Sequence, residues 1–320
     1  MVRLFRLLFV VSCFACFFSN CVSTNYTVVE NDRGILGTVE NLDCCDDFKQ
    51  ATMWLDPYKE VVILVHGCKS STGHFSTLKD VFESRGQQAI CFSYNYRDSI
   101  EDCSAQLLTA INSIIDLVNP PLITVVGHSQ GGLVARRALI SNRLDSLALQ
   151  DTITTIRLVT ISTPFNGIAA SSHCGMPILH VLSSGITVLI CQAVAGSTWS
   201  EINPSSDFII DPGKMSDKVF QHLKINTDEK GTCRNFDSNG RCIEDDYVFG
   251  LNEQYTNAVD ADKRVVNIEL AAGHAQVVGK PGQPPFELIH QLEKSKVLRE
   301  QTFLSSLDDA ALLAQLYRYY

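Results

Sequence analysis

The chain has 320 residues, of which 45% are hydrophobic and 19% are charged, with 19 glycines and 10 prolines. This composition is typical of a folded globular protein and excludes a disordered, collagen-like or small disulfide-scaffold class. The 26 basic and 35 acidic side chains give a net charge of −9. Because a negative protein surface repels phosphate backbones, nucleic acid is not expected as a partner.

Residues 1–23 have the pattern of a secretory signal peptide. Arg3 and Arg6 form a basic start, residues 7–18 are a short apolar run, and residues 19–23 include small side chains suited to cleavage. The run is shorter than the roughly 20 apolar residues that span a bilayer. We therefore expect a secreted or extracytoplasmic protein, and an uncleaved leader that anchors the chain is the less favoured alternative.

Nine of the 12 cysteines follow this leader, a number that favours an oxidising compartment. Cys233 and Cys242 bracket a segment with the turn sequence Asn239-Gly240, which predicts a disulfide between them. The other pairings cannot be read from the sequence. No Cys-x-x-Cys pair occurs after the leader, so no zinc site is indicated. We expect neither a metal nor a cofactor.

Five strand-like runs recur along the chain with helical stretches between them, and this alternation predicts an α/β protein with a mainly parallel central sheet flanked by helices. The helical spacing of apolar residues over 100–118 predicts a crossover helix that ends before Pro120-Pro121. We interpret residues 24–320 as one domain. The predicted strands are residues 61–65, 89–94, 122–126, 156–161 and 264–270.

Residues 158–200 contain no Asp, Glu, Lys or Arg, and residues 176–199 within them are strongly apolar. Pro177 and Gly185 argue against an uninterrupted membrane span. Two interpretations remain open, a buried core helix and a mobile apolar cap over a binding site. We assign about 171–225 to a cap or lid insertion, and residues 285–320 to a peripheral helical stretch.

The sequence Gly127-His128-Ser129-Gln130-Gly131-Gly132 lies between a predicted strand and a predicted helix. A strand-to-helix turn this tight strains the backbone of the serine and needs small residues two positions before and after it. Gly127 and Gly131 meet that need. The alternative is a glycine-rich turn with a surface serine, but the context favours Ser129 as a nucleophile.

A serine nucleophile needs a base, and in this architecture the chain order is serine, acid, histidine. His274 alone directly follows a predicted strand, on a loop from which it could reach Ser129. We therefore predict His274 as the base rather than an ordinary loop histidine. The other downstream histidines are His173, His180, His222 and His290.

The catalytic acid is expected near the end of a strand that precedes the strand leading to His274. Asp246 is our choice, with Asp245 close behind, because a helix over 251–260 and the strand over 264–270 can follow. Asp228 ranks third. It follows the alternating residues 219–225, but its separation from His274 leaves too much chain for one βαβ step.

An oxyanion intermediate needs two backbone N–H donors, one after the nucleophile and one after an early strand. Gln130 provides the first. Strand 61–65 runs into His66-Gly67, so the Cys68 amide is the natural second donor. No histidine pattern accompanies the Cys68 thiol, which argues against a cysteine nucleophile, and His66 is expected to orient the turn.

Residues 60–280 resemble the secreted lipase and esterase branch of the α/β-hydrolases, including its lipase-like and inositol-deacylase-like proteins. The resemblance rests on His66-Gly67, the elbow over 127–132, the turn over 161–167 and Gly273-His274. Phe165 stands where that family typically has histidine, and Gly250 replaces the proline of its acid motif. The resemblance implies an α/β-hydrolase fold, ester hydrolysis through an acyl-enzyme, and a lid at 176–199.

The sequence thus predicts a secreted serine hydrolase that cleaves lipid-like carboxylic esters, with Ser129, Asp246 and His274 as its triad. Its partner would be a lipid or small ester substrate, met through transient contact with a membrane or lipid surface. Two alternatives remain: a thioesterase or acyltransferase of the same fold, and a catalytically silent binding module. Labelling with a fluorophosphonate separates active serine hydrolases from the silent module.

Overall fold

The computed structural model describes residues 29–31, 34–47, 52–143, 147–150, 152–169, 171, 198–281 and 283–300. The predicted signal peptide and nearly all of the apolar segment 176–199 lie outside the described residues. Among the helices that the structure describes, each is too short or too polar to cross a membrane.

Seven strands form a central sheet in the order β12-β9-β8-β7-β5-β6-β3, parallel except for β3. The predicted α/β class is therefore confirmed. An antiparallel sheet β1-β2-β4 and the hairpin β10-β11 complete the described strands. The strands are β1 Val29–Asn31, β2 Gly34–Gly37, β3 Leu42–Asp43, β4 Met53–Leu55, β5 Val61–Val65, β6 Gln88–Phe92, β7 Leu122–His128, β8 Thr155–Ile161, β9 Val219–Asp228, β10 Cys233–Phe236, β11 Cys242–Asp245 and β12 Val265–Ala271.

Helices cover the sheet, and α2 spans the residues predicted from apolar spacing. The Ser99 hydroxyl caps its start by accepting a hydrogen bond from the Asp102 N–H, and Asn119 ends it in a left-handed conformation. The helices are α1 Ser76–Ser84, α2 Ile100–Val118, α3 Gln130–Ala138, α4 Thr198–Glu201, α5 Asp207–Ile210, α6 Asn257–Asp260 and α7 Phe286–Lys294, with 3₁₀ turns at Thr72–Phe75, Leu251–Glu253 and Gln276–Val278.

The central strands are almost entirely buried because layers pack on both faces, and β5 is buried at every position. Strand order reverses at β5, which lies between β6 and β7. In sheets of this kind, ligands bind beyond the carboxyl ends of the strands near such a reversal. The loops after β5, β7, β8, β9 and β12 all leave the sheet at that edge.

Three sequence predictions need correction. The cap predicted over 171–225 is too long, because residues 219–225 belong to β9, which lies inside the central sheet between β12 and β8. The helix expected over 251–260 is a 3₁₀ turn followed by the single-turn α6. The stretch from 285 onward contains the helix α7, whose Leu288, Ile289 and Leu292 are buried in the core instead of lying at the periphery.

The predicted disulfide between Cys233 and Cys242 is confirmed, with an S–S distance of 2.01 Å, and it closes the β10-β11 hairpin. A second disulfide joins Cys45 to Cys91 on β6, with an S–S distance of 2.03 Å. The two cysteines are 46 residues apart in the chain. The antiparallel pairing of β3 with β6, in which Asp43 lies opposite Cys91, brings them together.

Candidate active site

Ser129 lies in a strained turn between β7 and α3. Its φ is 55° and its ψ is −126°, a conformation that non-glycine residues rarely adopt. A Cβ at Gly127 would lie 2.5 Å from the Gly131 carbonyl oxygen, and a Cβ at Gly131 would overlap the His66 carbonyl oxygen. The two glycines therefore let the chain turn sharply enough to present the Ser129 side chain at the sheet edge, as the elbow prediction requires.

The structure brings His274 to Ser129. His274 Nε2 is 3.0 Å from Ser129 Oγ, and His274 Nδ1 is 2.8 Å from Oε1 of Glu229. An ionised carboxylate only accepts hydrogen bonds, so Nδ1 carries the proton of the neutral imidazole. Nε2 is then the free acceptor for the Ser129 hydroxyl proton. This geometry is the one a serine nucleophile needs from its base.

Glu229 lies directly after β9 and is fully buried, and both of its carboxylate oxygens accept hydrogen bonds. Its Oε2 accepts the N–H groups of Val248 and Phe249 at 2.7 and 3.2 Å. Burial by itself raises the pKa of Glu229. Attraction to the His274 ring when it is protonated, and the hydrogen bonds from His274, Val248 and Ser162, outweigh burial and hold the pKa below its ordinary value. The carboxylate therefore stays ionised at neutral pH.

Asp246, the predicted acid, does not meet the imidazole of His274. Its carboxylate accepts the N–H groups of Ala275 and Gln276 at 3.0 and 2.9 Å and pairs with Arg234 at 2.7 Å, and its backbone oxygen accepts the His274 N–H at 2.9 Å. Asp246 thus holds the loop that carries His274. The acid beside the imidazole is Glu229, and this corrects the sequence assignment.

The two lower-ranked acids also lie away from the imidazole. Asp245 is exposed and accepts the Tyr247 N–H at 3.4 Å, and Asp228 accepts the Lys230 N–H at 3.3 Å. The alternation over 219–225 marks β9, which ends at Asp228, and Glu229 is the residue directly after it. The chain from Asp228 to His274 is longer than one βαβ step because the β10-β11 hairpin is inserted between β9 and β12.

Two further groups fix the His274 ring. His128 Nε2 is 2.9 Å from the His274 carbonyl oxygen, and the Phe249 ring meets the His274 ring edge-on with centroids 4.9 Å apart. Burial lowers the pKa of His128 well below its ordinary value, so His128 is neutral and donates Nε2–H to that carbonyl. His128 thus fixes the backbone of His274, and Phe249 packs against one face of its imidazole ring.

The predicted oxyanion donors flank Ser129. The Gln130 N–H is in the first turn of α3, where amides have no intrahelical acceptor. On the other side, a Cβ at Gly67 would lie 3.0 Å from the Ser129 Cβ, so the loop that leads to Cys68 passes directly beside Ser129. His66 stacks on Tyr94 with centroids 4.4 Å apart and orients this turn.

The Cys68 thiol lacks the lowered pKa of an activated cysteine nucleophile. Burial raises the pKa of Cys68 to about 11, which leaves the thiol protonated at neutral pH. Among the described residues, Asp43, Cys45 and Cys91 form the one group with the spacing of metal ligands, and its two sulfurs are joined in a disulfide.

The disulfide hairpin is coupled to the His274 loop through Arg234. We expect selective reduction of Cys233–Cys242 to lower kcat by about 3- to 10-fold before the protein unfolds, because the hairpin then holds Arg234 less firmly against Asp246. Cys242 is exposed whereas Cys45 and Cys91 are buried, so a mild reductant should open the hairpin first.

Peptide mapping under non-reducing conditions identifies which bond has opened, and turnover is measured beside the melting temperature. Arg234→Gln, which keeps the disulfide, is expected to show the same loss. Unchanged turnover after opening of Cys233–Cys242 would show that the hairpin does not act on the site.

Residues 57–197 match a family model described as "Putative serine esterase (DUF676)". This stretch is a little under half of the chain. It contains Ser129, Gln130 and Cys68 and ends before Glu229 and His274. No curated protein is similar enough in sequence to match the chain.

Solved lipases and esterases resemble the structure at low sequence identity. The propeptide form of lipase BlEst2 from Bacillus licheniformis has 14% identity and a TM-score of 0.52 over 79% of this chain and 53% of that chain, so this chain spans about half its length. The mature form has 15% identity and a TM-score of 0.49, over 76% and 91% of the two chains. Esterase Pf2001 from Pyrococcus furiosus has 16% identity and a TM-score of 0.45, over 86% and 91%. The strand order and the likeness to the propeptide form of BlEst2 show that the chain has the α/β-hydrolase fold.

Proposed function

We propose that this chain is a serine esterase that hydrolyses carboxylic esters of lipid-like substrates through an acyl-enzyme. The observation that carries the proposal is the continuous contact from Ser129 Oγ to His274 Nε2 at 3.0 Å and from His274 Nδ1 to Glu229 at 2.8 Å. The match of residues 57–197 to a serine esterase family supports the same reaction class.

In the first half-reaction, Ser129 Oγ attacks the ester carbonyl while His274 Nε2 takes the hydroxyl proton. Glu229 stabilises the imidazolium that forms and keeps the ring in the productive orientation. The imidazolium then protonates the departing alcohol, and the acyl group remains on Ser129. In the second half-reaction His274 takes a proton from a water molecule, which attacks the acyl carbon. The bond to Ser129 Oγ breaks, the acid leaves, and the imidazolium returns the proton to Oγ.

The tetrahedral oxyanion would accept hydrogen bonds from the Gln130 and Cys68 amides. Backbone donors already oriented toward a developing charge need no reorganisation during the reaction, and loss of one such donor typically costs about 10²- to 10³-fold in kcat. The close passage of Gly67 beside Ser129 supports this assignment.

A lipid-like acyl group and an extracytoplasmic location are the finer parts of the proposal. The absence of Asp, Glu, Lys and Arg from residues 158–200 favours an apolar substrate, and the signal-like leader and the disulfides among the described residues favour an oxidising compartment. Transient contact with a lipid surface follows from a substrate of this class.

The proposal is tested with p-nitrophenyl esters from short to long acyl chains, measured together with fluorophosphonate labelling. We expect labelling at Ser129 and hydrolysis across the series, with higher kcat/KM for longer chains. Labelling without hydrolysis of any ester would favour a thioesterase or acyltransferase, which acyl-thioester and alcohol-acceptor assays detect. Absence of both labelling and hydrolysis in the folded protein would point to the silent binding module.

A further inference from the structure

Ser162, the residue after β8, is a fully buried serine whose hydroxyl touches both members of the His274–Glu229 pair. Its Oγ is 2.9 Å from His274 Nδ1 and 2.8 Å from Glu229 Oε1. This hydroxyl takes no part in the attack on the ester or in the proton transfers between Ser129, His274 and water. A third group so close to the proton on Nδ1 must still affect where that proton lies.

The neighbours of Ser162 determine the direction of its hydrogen bonds. The Glu229 carboxylate can only accept, so the Ser162 hydroxyl donates to it. The Thr227 hydroxyl is 2.7 Å from Ser162 Oγ and 3.1 Å from Glu229 Oε1, so its proton goes chiefly to Ser162. The remaining lone pair of Ser162 faces His274 Nδ1–H, which is therefore shared between the carboxylate and the hydroxyl.

The backbone around Ser162 is held as firmly as its side chain. Its φ is 45°, in the left-handed region that serine rarely occupies, and its N–H donates to the Ile225 carbonyl at 2.8 Å. Fully buried Gln254 clamps Thr227, accepting its N–H and donating to its carbonyl, each at 2.8 Å. A strained backbone conformation persists only where the surrounding contacts hold it in place, and such conformations are concentrated at functional sites.

We propose that Ser162 is a positioning residue of the esterase site, which holds Nδ1–H of His274 in line with Glu229 while Thr227 orients the Ser162 hydroxyl. The proposal rests on the function proposed above. Ser162 lies on the side of the imidazole away from Ser129, so it acts on the reaction through His274 and does not contact the reacting atoms.

Two substitutions separate the hydroxyl from the backbone strain. Ser162→Ala and Ser162→Gly both remove the hydroxyl, but glycine adopts a positive φ without strain whereas alanine does not. We expect both variants to lose about 10- to 100-fold in kcat with KM unchanged, since a hydrogen bond to a charged group is lost in each. Their melting temperatures should differ while their kcat values agree.

Ser113→Ala is the matched control. Ser113 is a buried serine on α2 whose hydroxyl donates to the Thr109 carbonyl at 2.9 Å, away from the site. We expect its kcat to stay within about twofold of wild type, because the change removes a neutral hydrogen bond that affects stability alone. If the Ser162 variants do not fold, Thr227→Val leaves Ser162 in place and should lower kcat by about 3- to 10-fold.

The proton on His274 Nδ1 provides a measurement that needs no substrate. In wild type we expect a slowly exchanging downfield proton NMR resonance, and in both Ser162 variants a shifted and faster-exchanging one. If wild type shows this resonance and its dependence on Ser162 but hydrolyses no ester, the proposed function fails while the positioning role stands. A folded Ser162→Gly with wild-type kcat and an unchanged resonance would overturn the role of Ser162, as would a loss confined to KM.

Discussion

Replacing Ser129 by alanine is expected to reduce ester turnover by about 10⁴-fold or more while the melting temperature stays close to that of wild type. The hydroxyl is the attacking group, and its oxygen lies 3.0 Å from His274 Nε2. His274→Ala should cause a loss of similar size, because an unactivated serine is a poor nucleophile. The measurement is kcat/KM on the best p-nitrophenyl ester, with circular dichroism to verify folding.

The double variant Ser129→Ala, His274→Ala is the sharper part of this test. Nucleophile and base act as one unit, so we expect it to be no slower than either single variant. Ser113→Ala again controls for removal of a buried hydroxyl. Ordinary esterase activity in Ser129→Ala, with a fluorophosphonate still attached to the protein, would show that another residue is the nucleophile.

Glu229→Gln is expected to lower kcat by about 10³- to 10⁴-fold with a small change in KM. Glutamine keeps the shape of the side chain, but its amide is neutral and can donate to Nδ1, which favours the tautomer that places the proton on Nε2. His274 could then no longer accept the Ser129 proton. The kcat of Glu229→Gln should stay low at every pH at which the variant is folded.

Asp246→Asn is the matched comparison, because it makes the same change of carboxylate to amide on the other side of the His274 loop. An asparagine oxygen can still accept the N–H groups of Ala275 and Gln276, so we expect a loss of about 10-fold or less in kcat, with a lower melting temperature from the broken pair with Arg234. The reverse order of effects would return the role of acid to Asp246.

Local patterns in the sequence were sufficient to predict the parts of the site whose geometry depends on nearby residues. The elbow at Ser129 is set by glycines two positions away and by the strand and helix that flank it, so its form could be predicted from a short stretch. The β10-β11 disulfide closes a loop of nearby residues and was predicted for the same reason. His274 was placed by the strand that directly precedes it.

Tertiary structure decided which groups meet across the sheet. Glu229 and Asp246 both follow strand-like residues and are both buried, and nothing in their local sequence distinguishes the acid beside the imidazole from the acid beneath its loop. The parallel pairing of β9 with β12 brings Glu229 to the Nδ1 side of His274, while the inserted hairpin places Asp246 under the backbone of Ala275. Ser162 joins them because β8 ends beside β9. Turns and local periodicity depend on residues that are close together in the sequence. Contacts between strand ends depend on the order and register of the strands, which are set by the packing of the whole sheet.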